Sequence, residues 1–345
     1  MLLPYLHRVA ARENLSVEEA RLAMLAILNG EATTPQISAF LVGLRTKGET
    51  AEELLGFARA MREKAARVDA RIDSSPLLDT CGTGGDGGFT FNISTIAAFV
   101  VAGAGVHVAK HGNRSMSAQC GSADLLEELG INISISPDDA ARAIREVGIG
   151  FLFAPLFHPA MKYAQPARQE LKMRTVFNLL GPLTNPAGAP RQLIGAPSIE
   201  AAKLMANALA GLEPERAYVV HGSDGLDEVT TTGPTTVFEV IHQRVRKFSW
   251  EPADFGVEPA TAGDLTGGDR AANRKIAVAI LQGERGPRRD IVLVNAAAAL
   301  LAAEVSADIR EAVGRAGESI DTGAAWAKVE KLAEFCRAVQ LRSST

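Results

Sequence analysis

From residue 76 onward, short apolar runs alternate with helical stretches, and this alternation constrains the fold more than any other feature. The runs that predict strands are 77–80, 106–109, 150–153, 217–220 and 236–241. The stretches between them that predict helices include 95–104, 123–129, 137–147 and 199–210. Such alternation is typical of an α/β fold with a mostly parallel sheet flanked by helices. Residues 235–250 instead predict a β-hairpin, and helices are expected to dominate from Ala271 onward.

The first 70 residues show helix signals without a strand signal among them. Two capping boxes, "SVEE" at 16–19 and "TAEE" at 50–53, predict helix starts, and Thr34 with Pro35 predicts a third. A length of 345 residues suits about two domains. We therefore expect a small all-helical N-terminal domain at 1–70 and an α/β domain at 71–345.

Composition and charge exclude several classes of protein. Hydrophobic residues make up 47% and charged residues 22%, as in an ordinary globular protein, and the net charge of −4 gives no reason to expect a nucleic-acid partner. The three cysteines, Cys81, Cys120 and Cys336, are too scattered for a disulfide framework or a zinc site. Because no apolar run reaches 18 residues and no signal-peptide pattern is present, we expect a cytoplasmic protein without a membrane partner.

A glycine-rich stretch, "GTGGDGG" at 82–88, joins the first predicted strand to the next helix. This context suits phosphate, because glycine lets the backbone approach a ligand and a helix start offers free N–H groups. The G-x-G-x-x-G spacing also occurs in NAD-binding loops, but these need an acidic residue about 20 positions on, and no Asp or Glu lies between 87 and 123. A P-loop would need a Gly-Lys-Ser/Thr sequence, which does not follow.

The next predicted strand ends in "KHGNR" at 110–114, which places Lys110 and Arg114 near the same loop. These cations favour a ligand with more phosphate than the ribose edge of NAD. A turn without a ligand, capping by the "NIST" residues at 92–95 and a solvated charged turn remain open as alternatives. Asp227 and Glu228 are adjacent in a predicted loop, where they are solvated turn acids or, beside a polyphosphate, magnesium ligands.

Six segments together resemble the anthranilate phosphoribosyltransferase family. They are "GTGGD" (82–86), "FNIST" (91–95), "KHGNR" (110–114), "GSADLLEELG" (121–130), "RTVFNLLGPLTNP" (174–186) and "HGSDGLDE" (221–228). The resemblance implies a nucleoside phosphorylase/phosphoribosyltransferase-like fold and a homodimer joined through the small domain. It also implies a pentosyltransferase that moves phosphoribose from 5-phosphoribosyl 1-pyrophosphate to the amine of anthranilate in tryptophan biosynthesis, with two Mg2+ ions per monomer.

The resemblance also implies roles for individual residues. Those expected to bind phosphoribosyl pyrophosphate are Gly82, Gly85, Asp86, Thr90, Asn92, Ile93, Ser94, Thr95, Lys110, His111, Gly112, Asn113, Arg114, Ser115, Met116, Ser117, Ala118 and Ser122. Those expected to contact anthranilate are Gly82, Asn113 and Arg168, and those expected to bind magnesium are Ser94, Asp227 and Glu228. The expected catalytic residues are Lys110, His111, Asn113 and Arg168.

Three residues test how far the resemblance extends. Ala118 stands where the family usually has a serine, so a side-chain contact to phosphate is lost there. His111 is either a proton acceptor or a hydrogen-bonding residue of the scaffold. The surroundings of Arg168 in the sequence alone predict that it is an exposed arginine on a helix.

Two other functions remain open from the residues. A pyrimidine nucleoside phosphorylase of similar fold would use inorganic phosphate, whereas the Asp227–Glu228 pair and the full "KHGNR" favour pyrophosphate with magnesium. A non-catalytic relative that binds nucleic acid or other anions would need a basic groove and would not need the acid pair.

Overall fold

A single sheet runs through the larger part of the chain. The computed structural model describes residues 1–70, 72, 75–84, 89–115 and 119–343. Within them, the sheet has seven strands in the order β3-β2-β1-β4-β5-β6-β7. The strands are β1 (Leu77–Gly82), β2 (His107–Gly112), β3 (Ile149–Phe153), β4 (Arg191–Gly195), β5 (Arg216–Gly222), β6 (Thr235–Ile241) and β7 (Arg244–Trp250). Strands β1 to β5 are parallel, and β6 and β7 form the antiparallel hairpin at one edge. The predicted fold class and hairpin are confirmed.

Strand β4 lies at the centre of the sheet, yet the sequence did not predict it. Its apolar run is short because Arg191 and Gln192 form its first half. Gln192 is fully buried, and its side-chain amide donates to the carbonyl oxygen of Pro182 at 2.9 Å. This bond satisfies the amide nitrogen only, since the buried Oε1 atom has no partner among the described residues. A buried glutamine in a strand hides the strand from hydrophobic patterning.

Four helices precede the sheet: α1 (Leu3–Ala10), α2 (Val17–Leu28), α3 (Thr34–Lys47) and α4 (Ala51–Lys64). Both predicted capping boxes form, with Ser16 and Glu19 at the start of α2 and Thr50 and Glu53 at the start of α4. The prediction of Thr34 as a cap was wrong. The cap of α3 is Thr33, whose backbone N–H donates to the side chain of Gln36 at 3.0 Å, and Thr34 is already helical.

The remaining helices lie on the two faces of the sheet. They are α5 (Ile93–Gly103), α6 (Ser122–Glu128), α7 (Pro137–Val147), α8 (Ala154–Phe157), α9 (Gln165–Leu171), α10 (Phe177–Leu180), α11 (Ile199–Ala210), α12 (Arg270–Leu281), α13 (Pro287–Ala302), α14 (Ile309–Asp321) and α15 (Ala324–Ser343). The helices predicted at 95–104, 123–129, 137–147 and 199–210 all form, with ends shifted by at most two residues.

The two faces of the sheet bury two separate apolar cores. Along β5, Tyr218 and Val220 point into one core and Ala217 and Val219 into the other, as the two-residue repeat of a strand requires. The first core includes α5, α13, α14 and α15, and the second includes α2, α3, α4 and α11. The N-terminal helices therefore share a core with one face of the sheet.

The end of α4 and the segment that leads from it to β1 are hydrogen-bonded to residues 157–186. Arg62 donates through Nε to the carbonyl oxygen of Leu183 at 2.7 Å, and the Val68 N–H donates to that of Pro186 at 3.2 Å. The division into domains at residue 70 remains a proposal. No helix among the described residues has the length and apolarity needed to cross a membrane.

Candidate active site

A cavity of about 680 Å³ opens at the carboxyl ends of the parallel strands. The chain reverses its order across the sheet between β1 and β4, the place where α/β proteins bind ligands. Gly82 and Gly195, the last residues of these strands, are paired there. The predicted site residues that line the cavity are Gly82, Thr90, Asn92, Ile93, Ser94, Thr95, Lys110, His111, Gly112, Asn113, Arg114, Ser115, Ser122, Arg168, Asp227 and Glu228. Gly85, Asp86, Met116, Ser117 and Ala118 lie outside the described residues.

Asp227 lies directly over the two glycines. A Cβ atom at Gly195 would lie 1.7 Å from the carbonyl oxygen of Asp227, and one at Gly82 would lie 2.7 Å from its Oδ2 atom. The same Oδ2 accepts the backbone N–H of Gly84 at 2.9 Å. Glycine at both strand ends is therefore what allows this carboxylate to sit above the sheet.

Glu228 is fixed at the start of α5. Its Oε1 atom accepts the backbone N–H of Ser94 at 3.2 Å, so a carboxylate lies at the positive end of a helix dipole. The two acids are thus attached to different elements, Asp227 to the loop after β1 and Glu228 to α5. Ser94, Asp227 and Glu228, which the resemblance implies as magnesium ligands, all line the same cavity.

Asn295 of α13 fixes the backbone immediately after the acid pair. It is fully buried, its Oδ1 accepts the Val229 N–H at 2.9 Å, and its Nδ2 donates to the Val229 carbonyl at 2.8 Å. The sequence analysis missed this residue. It lies in an alanine-rich helical run 66 positions from its partner, and no local motif marks such a pairing.

The start of α5 has a polar atom that is available to a ligand. The side chain of Asn92 does not cap the helix; its Nδ2 donates to the carbonyl oxygen of Cys120 at 3.1 Å. Its buried Oδ1 atom has no hydrogen-bond partner among the described residues. A buried acceptor of this kind requires an explanation, and a ligand or water in the adjoining cavity supplies one.

Lys110 lies under the cavity floor. Its Nζ atom donates to the carbonyl oxygen of Thr80 at 2.6 Å and lies 3.5 Å from Ser94 Oγ. Burial lowers the pKa of Lys110 and raises the pKa of Asp79, while the attraction between the two opposes both shifts. The side chain of Asn185 donates to Asp79 Oδ2 at 2.8 Å, which satisfies a carboxylate that is otherwise deep in the sheet.

Arg114 is held by carboxylates at the edge of the cavity. Its guanidinium donates to Asp124 at 2.7 Å and to both oxygens of Glu127 at 2.7 Å. Arg270 also pairs with Asp124, so two cations and two anions form one cluster. The hydrogen bond from Arg114 lowers the pKa of Glu127. Arg114 thus lines the cavity as part of this cluster.

Two small residues, Gly121 and Ser122, hold the loop after β2 close to the start of α6. A Cβ atom at Gly121 would lie 2.3 Å from the backbone nitrogen of Ser115, so only glycine fits there. Ser122 Oγ donates to the carbonyl oxygen of Asn113 at 3.0 Å, which attaches the loop to α6 and leaves the side chain of Asn113 exposed at the cavity.

Arg168 is half-buried, and the prediction of an exposed helical arginine was wrong. Its guanidinium carbon lies 5.2 Å from the ring centre of Phe177, and burial lowers its pKa. No hydrogen bond or ion pair to its guanidinium occurs within the described part of the chain. A partly buried cation that lines a cavity without an anionic partner is well placed to bind an anion.

Further residues line the cavity beside Arg168. They are Lys172, Met173, Arg174, Phe177, Asn178, Gly181 and Pro182. Several of them belong to the segment 174–186, which the sequence analysis quoted for its resemblance without assigning a role. That motif was the signal that could have identified this wall.

The donor set fits magnesium. Asp227, Glu228 and Ser94 offer two carboxylates and a hydroxyl, the hard oxygen ligands that Mg2+ prefers, and phosphate oxygens would complete its shell. Within the described residues, no group of three or more His, Cys, Asp and Glu side chains could hold a metal alone.

Two protein-family models match the chain. Residues 3–65 match the helical bundle domain of the glycosyl transferase family, and residues 74–326 match its a/b domain.

The chain is also similar to named proteins along nearly its whole length. The anthranilate phosphoribosyltransferase of Solibacter usitatus is 61% identical over 97% of this chain and 98% of the relative. The crystal structure of the enzyme of that name from Thermus thermophilus is 42% identical, with a TM-score of 0.90 over 96% of this chain and 99% of that one. The Saccharomyces cerevisiae enzyme in complex with PRPP and Mg is 30% identical, with a TM-score of 0.90 over 98% of both chains. The yeast enzyme has also been solved with 4-fluoroanthranilate, at a TM-score of 0.88, 29% identity and 98% of both chains.

Proposed function

The chain belongs to the anthranilate phosphoribosyltransferase family, and we propose that the cavity residues divide the family's reaction among them as follows. The enzyme transfers the phosphoribosyl group of 5-phosphoribosyl 1-pyrophosphate to the amine of anthranilate, which gives N-(5-phosphoribosyl)anthranilate and pyrophosphate. It is a pentosyltransferase of tryptophan biosynthesis. The observation that carries the assignment is the meeting of an acid pair, the strand end at residues 82–84 and the cation of Arg168 around one cavity.

Phosphoribosyl pyrophosphate binds between the loop after β1, the start of α5 and the loop after β2. Backbone N–H groups at glycines and at the helix start suit its phosphates. Asp227, Glu228 and Ser94 hold magnesium. Magnesium bound there supplies positive charge that stabilises the departing pyrophosphate. Asn92, with its unpartnered Oδ1, and Asn113 contribute polar groups toward the ribose and the second substrate.

Anthranilate binds on the side of Arg168. Its amine is a weak nucleophile, because the nitrogen lone pair is delocalised into the ring. The enzyme therefore gains most by holding the amine close to the ribose carbon while that carbon loses its leaving group. Arg168 pairs with the anthranilate carboxylate and aims the amine, and the half-buried setting of its guanidinium strengthens this pair.

We propose two magnesium ions per monomer. The support is that Asp227 and Glu228 are attached to different elements, the loop after β1 and the start of α5, so each carboxylate can serve its own ion. Equilibrium dialysis with Mn2+ and phosphoribosyl pyrophosphate would count the ions. A stoichiometry of one would contradict the proposal.

We also propose a homodimer formed through the first 70 residues. The support is the family resemblance together with the exposed apolar side chains of Met1 and Leu22 on this part of the molecule. Sedimentation at micromolar concentration tests it, and a monomeric mass would refute it. A cytoplasmic location is a further proposal, supported by three cysteines that are all buried and unpaired.

The decisive experiment follows anthranilate consumption with phosphoribosyl pyrophosphate, with magnesium and with the metal chelated. We expect transfer only with magnesium. A parallel assay offers uridine or thymidine with inorganic phosphate. Phosphorolysis in that assay without transfer in the first would replace the proposed function with that of a nucleoside phosphorylase.

A further inference from the structure

Two buried histidines lie in contact behind the cavity, and the reaction described above does not use them as a pair. His111 is on β2 and lines the cavity, and His158 follows α8. Both side chains are at most 6% exposed. The Nε2 atom of His158 lies 3.2 Å from the Nε2 atom of His111, within hydrogen-bond distance.

The contacts of His111 fix where its proton lies. Its Nδ1 atom is 3.1 Å from the carbonyl oxygen of Gly181. A carbonyl oxygen can only accept, so Nδ1 carries the proton and Nε2 of a neutral ring carries the lone pair. Two lone pairs facing each other at 3.2 Å would repel, so the neighbouring Nε2 of His158 is the donor, although the hydrogen bond between His158 and the backbone of Thr184 competes for the one proton of the neutral ring.

The surroundings keep both rings neutral at pH 7. Burial, together with the adjacent His158 and Lys110, lowers the pKa of His111 to about 3, while the Gly181 carbonyl opposes the shift. Burial likewise lowers the pKa of His158 to about 4 against the opposing effect of the Thr184 carbonyl. The remaining charged group at His111 is Asp79, whose Oδ1 accepts the His111 backbone N–H at 3.1 Å.

We propose that His158 is a positioning residue for the transfer reaction. Its Nε2–H group occupies the lone pair of His111 and so holds that ring against the Gly181 carbonyl. His111 then cannot take the proton that the anthranilate amine releases; it serves as a fixed wall of the cavity. Gly181 and Pro182 line the same cavity, so the pair also fixes that part of the anthranilate side. This inference rests on the proposed function for its catalytic meaning, but the proton positions can be measured independently of it.

The first test measures the tautomers directly. The chain has six histidines, so a sample labelled with 15N-histidine gives a simple long-range 1H–15N spectrum. The His158→Gln variant assigns the pair. We expect His111 protonated at Nδ1 and His158 at Nε2 from pH 6 to 8. A doubly protonated ring at pH 7, or His111 protonated at Nε2, would overturn the proposal, whether or not the protein shows transferase activity.

The second test uses two variants of His158. His158→Gln keeps an N–H donor toward His111, and His158→Leu removes it. In His158→Leu burial still keeps the pKa of His111 low, but the ring loses the hydrogen bond that holds it, so kcat/KM for anthranilate should fall by up to about tenfold at every pH from 6 to 8. His158→Gln should keep kcat/KM for anthranilate near the wild-type value, and the KM for phosphoribosyl pyrophosphate should be similar in both variants.

His107→Gln serves as the control, because His107 is on the same strand but does not line the cavity. A His158→Leu variant with the kcat/KM for anthranilate of the wild type would refute the positioning role. If that variant does not fold, the tautomer measurement on the wild type still decides the question.

Discussion

The substitution Gly195→Ala should displace the acid pair while leaving both carboxylates in the chain. The added Cβ would lie 1.7 Å from the carbonyl oxygen of Asp227, and real Cβ atoms do not approach closer than 3.0 Å. The loop that carries Asp227 must therefore move away from β4 by more than 1 Å, because the opposing atom belongs to the backbone and cannot rotate aside. Overpacking of this kind costs about 1–3 kcal/mol of stability.

A displacement of about 1 Å at a catalytic group can cost about 100-fold in rate. We expect kcat to fall by that order, with a higher magnesium concentration needed for half-maximal rate. Urea unfolding measures the stability, and the anthranilate assay over a magnesium series measures the activity. Gly150→Ala on β3 is the matched control, because its Cβ would meet Ile144 at 2.7 Å, far from the acids. The control should lose stability and keep its magnesium response. A Gly195→Ala enzyme with wild-type rate and magnesium dependence would refute the argument.

Three further predictions concern charged and titratable groups. Asp227→Asn with Glu228→Gln should remove most activity and leave the fold intact by circular dichroism; an unchanged magnesium response would contradict the metal assignment. Arg168→Ala should lose about 1.5–3 kcal/mol, or roughly 10- to 150-fold in kcat/KM for anthranilate. The control is Arg142→Ala, whose guanidinium lies 5.2 Å from Phe335 on another helix, and equal losses in the two variants would refute the role of Arg168. Burial lowers the pKa of His158 to about 4. As the pH drops, this histidine is therefore protonated near pH 6.5 in the unfolded chain but stays neutral in the folded chain, so the free energy of unfolding falls. Between pH 7 and pH 5 the wild type should lose about 2 kcal/mol more stability than His158→Gln, as measured by urea unfolding. An identical loss in both proteins would contradict this prediction.

Local sequence patterns predicted those parts of the fold whose signal is local. Alternating apolar runs gave four of the five parallel strands, because each of these strands carries its own apolar residues. They failed at β4, where the fold buries Gln192 and pairs its side-chain N–H with the carbonyl oxygen of Pro182, ten residues earlier in the chain. Capping boxes located two helix starts correctly, since both partners lie within one turn.

The candidate site was predictable where a motif names its residues. Glycine-rich and charged segments led to the cavity, and sixteen of the predicted site residues line it. Asn295 was not predictable, because its role arises only when α13 packs against the acid loop. The burial of Arg168 was missed for the same reason: Phe177, which covers its guanidinium, comes from the next helix. Pairings made by folding leave no trace in a short stretch of sequence.

The exposed edge of the sheet has a consequence for how the protein behaves in a crowded solution. Within the part of the chain that the structure describes, strand β7 pairs on one side only. An open strand edge can recruit a strand from another molecule and start aggregation. Its exposed residues include Arg244, Arg246 and Lys247, so a second strand laid beside it would have to strip water from a row of cations. Arg246 is also tied back to Glu239 on β6 at 2.8 Å, which keeps its charge at the edge. The hairpin thus ends the sheet and protects it from continuing into a neighbour.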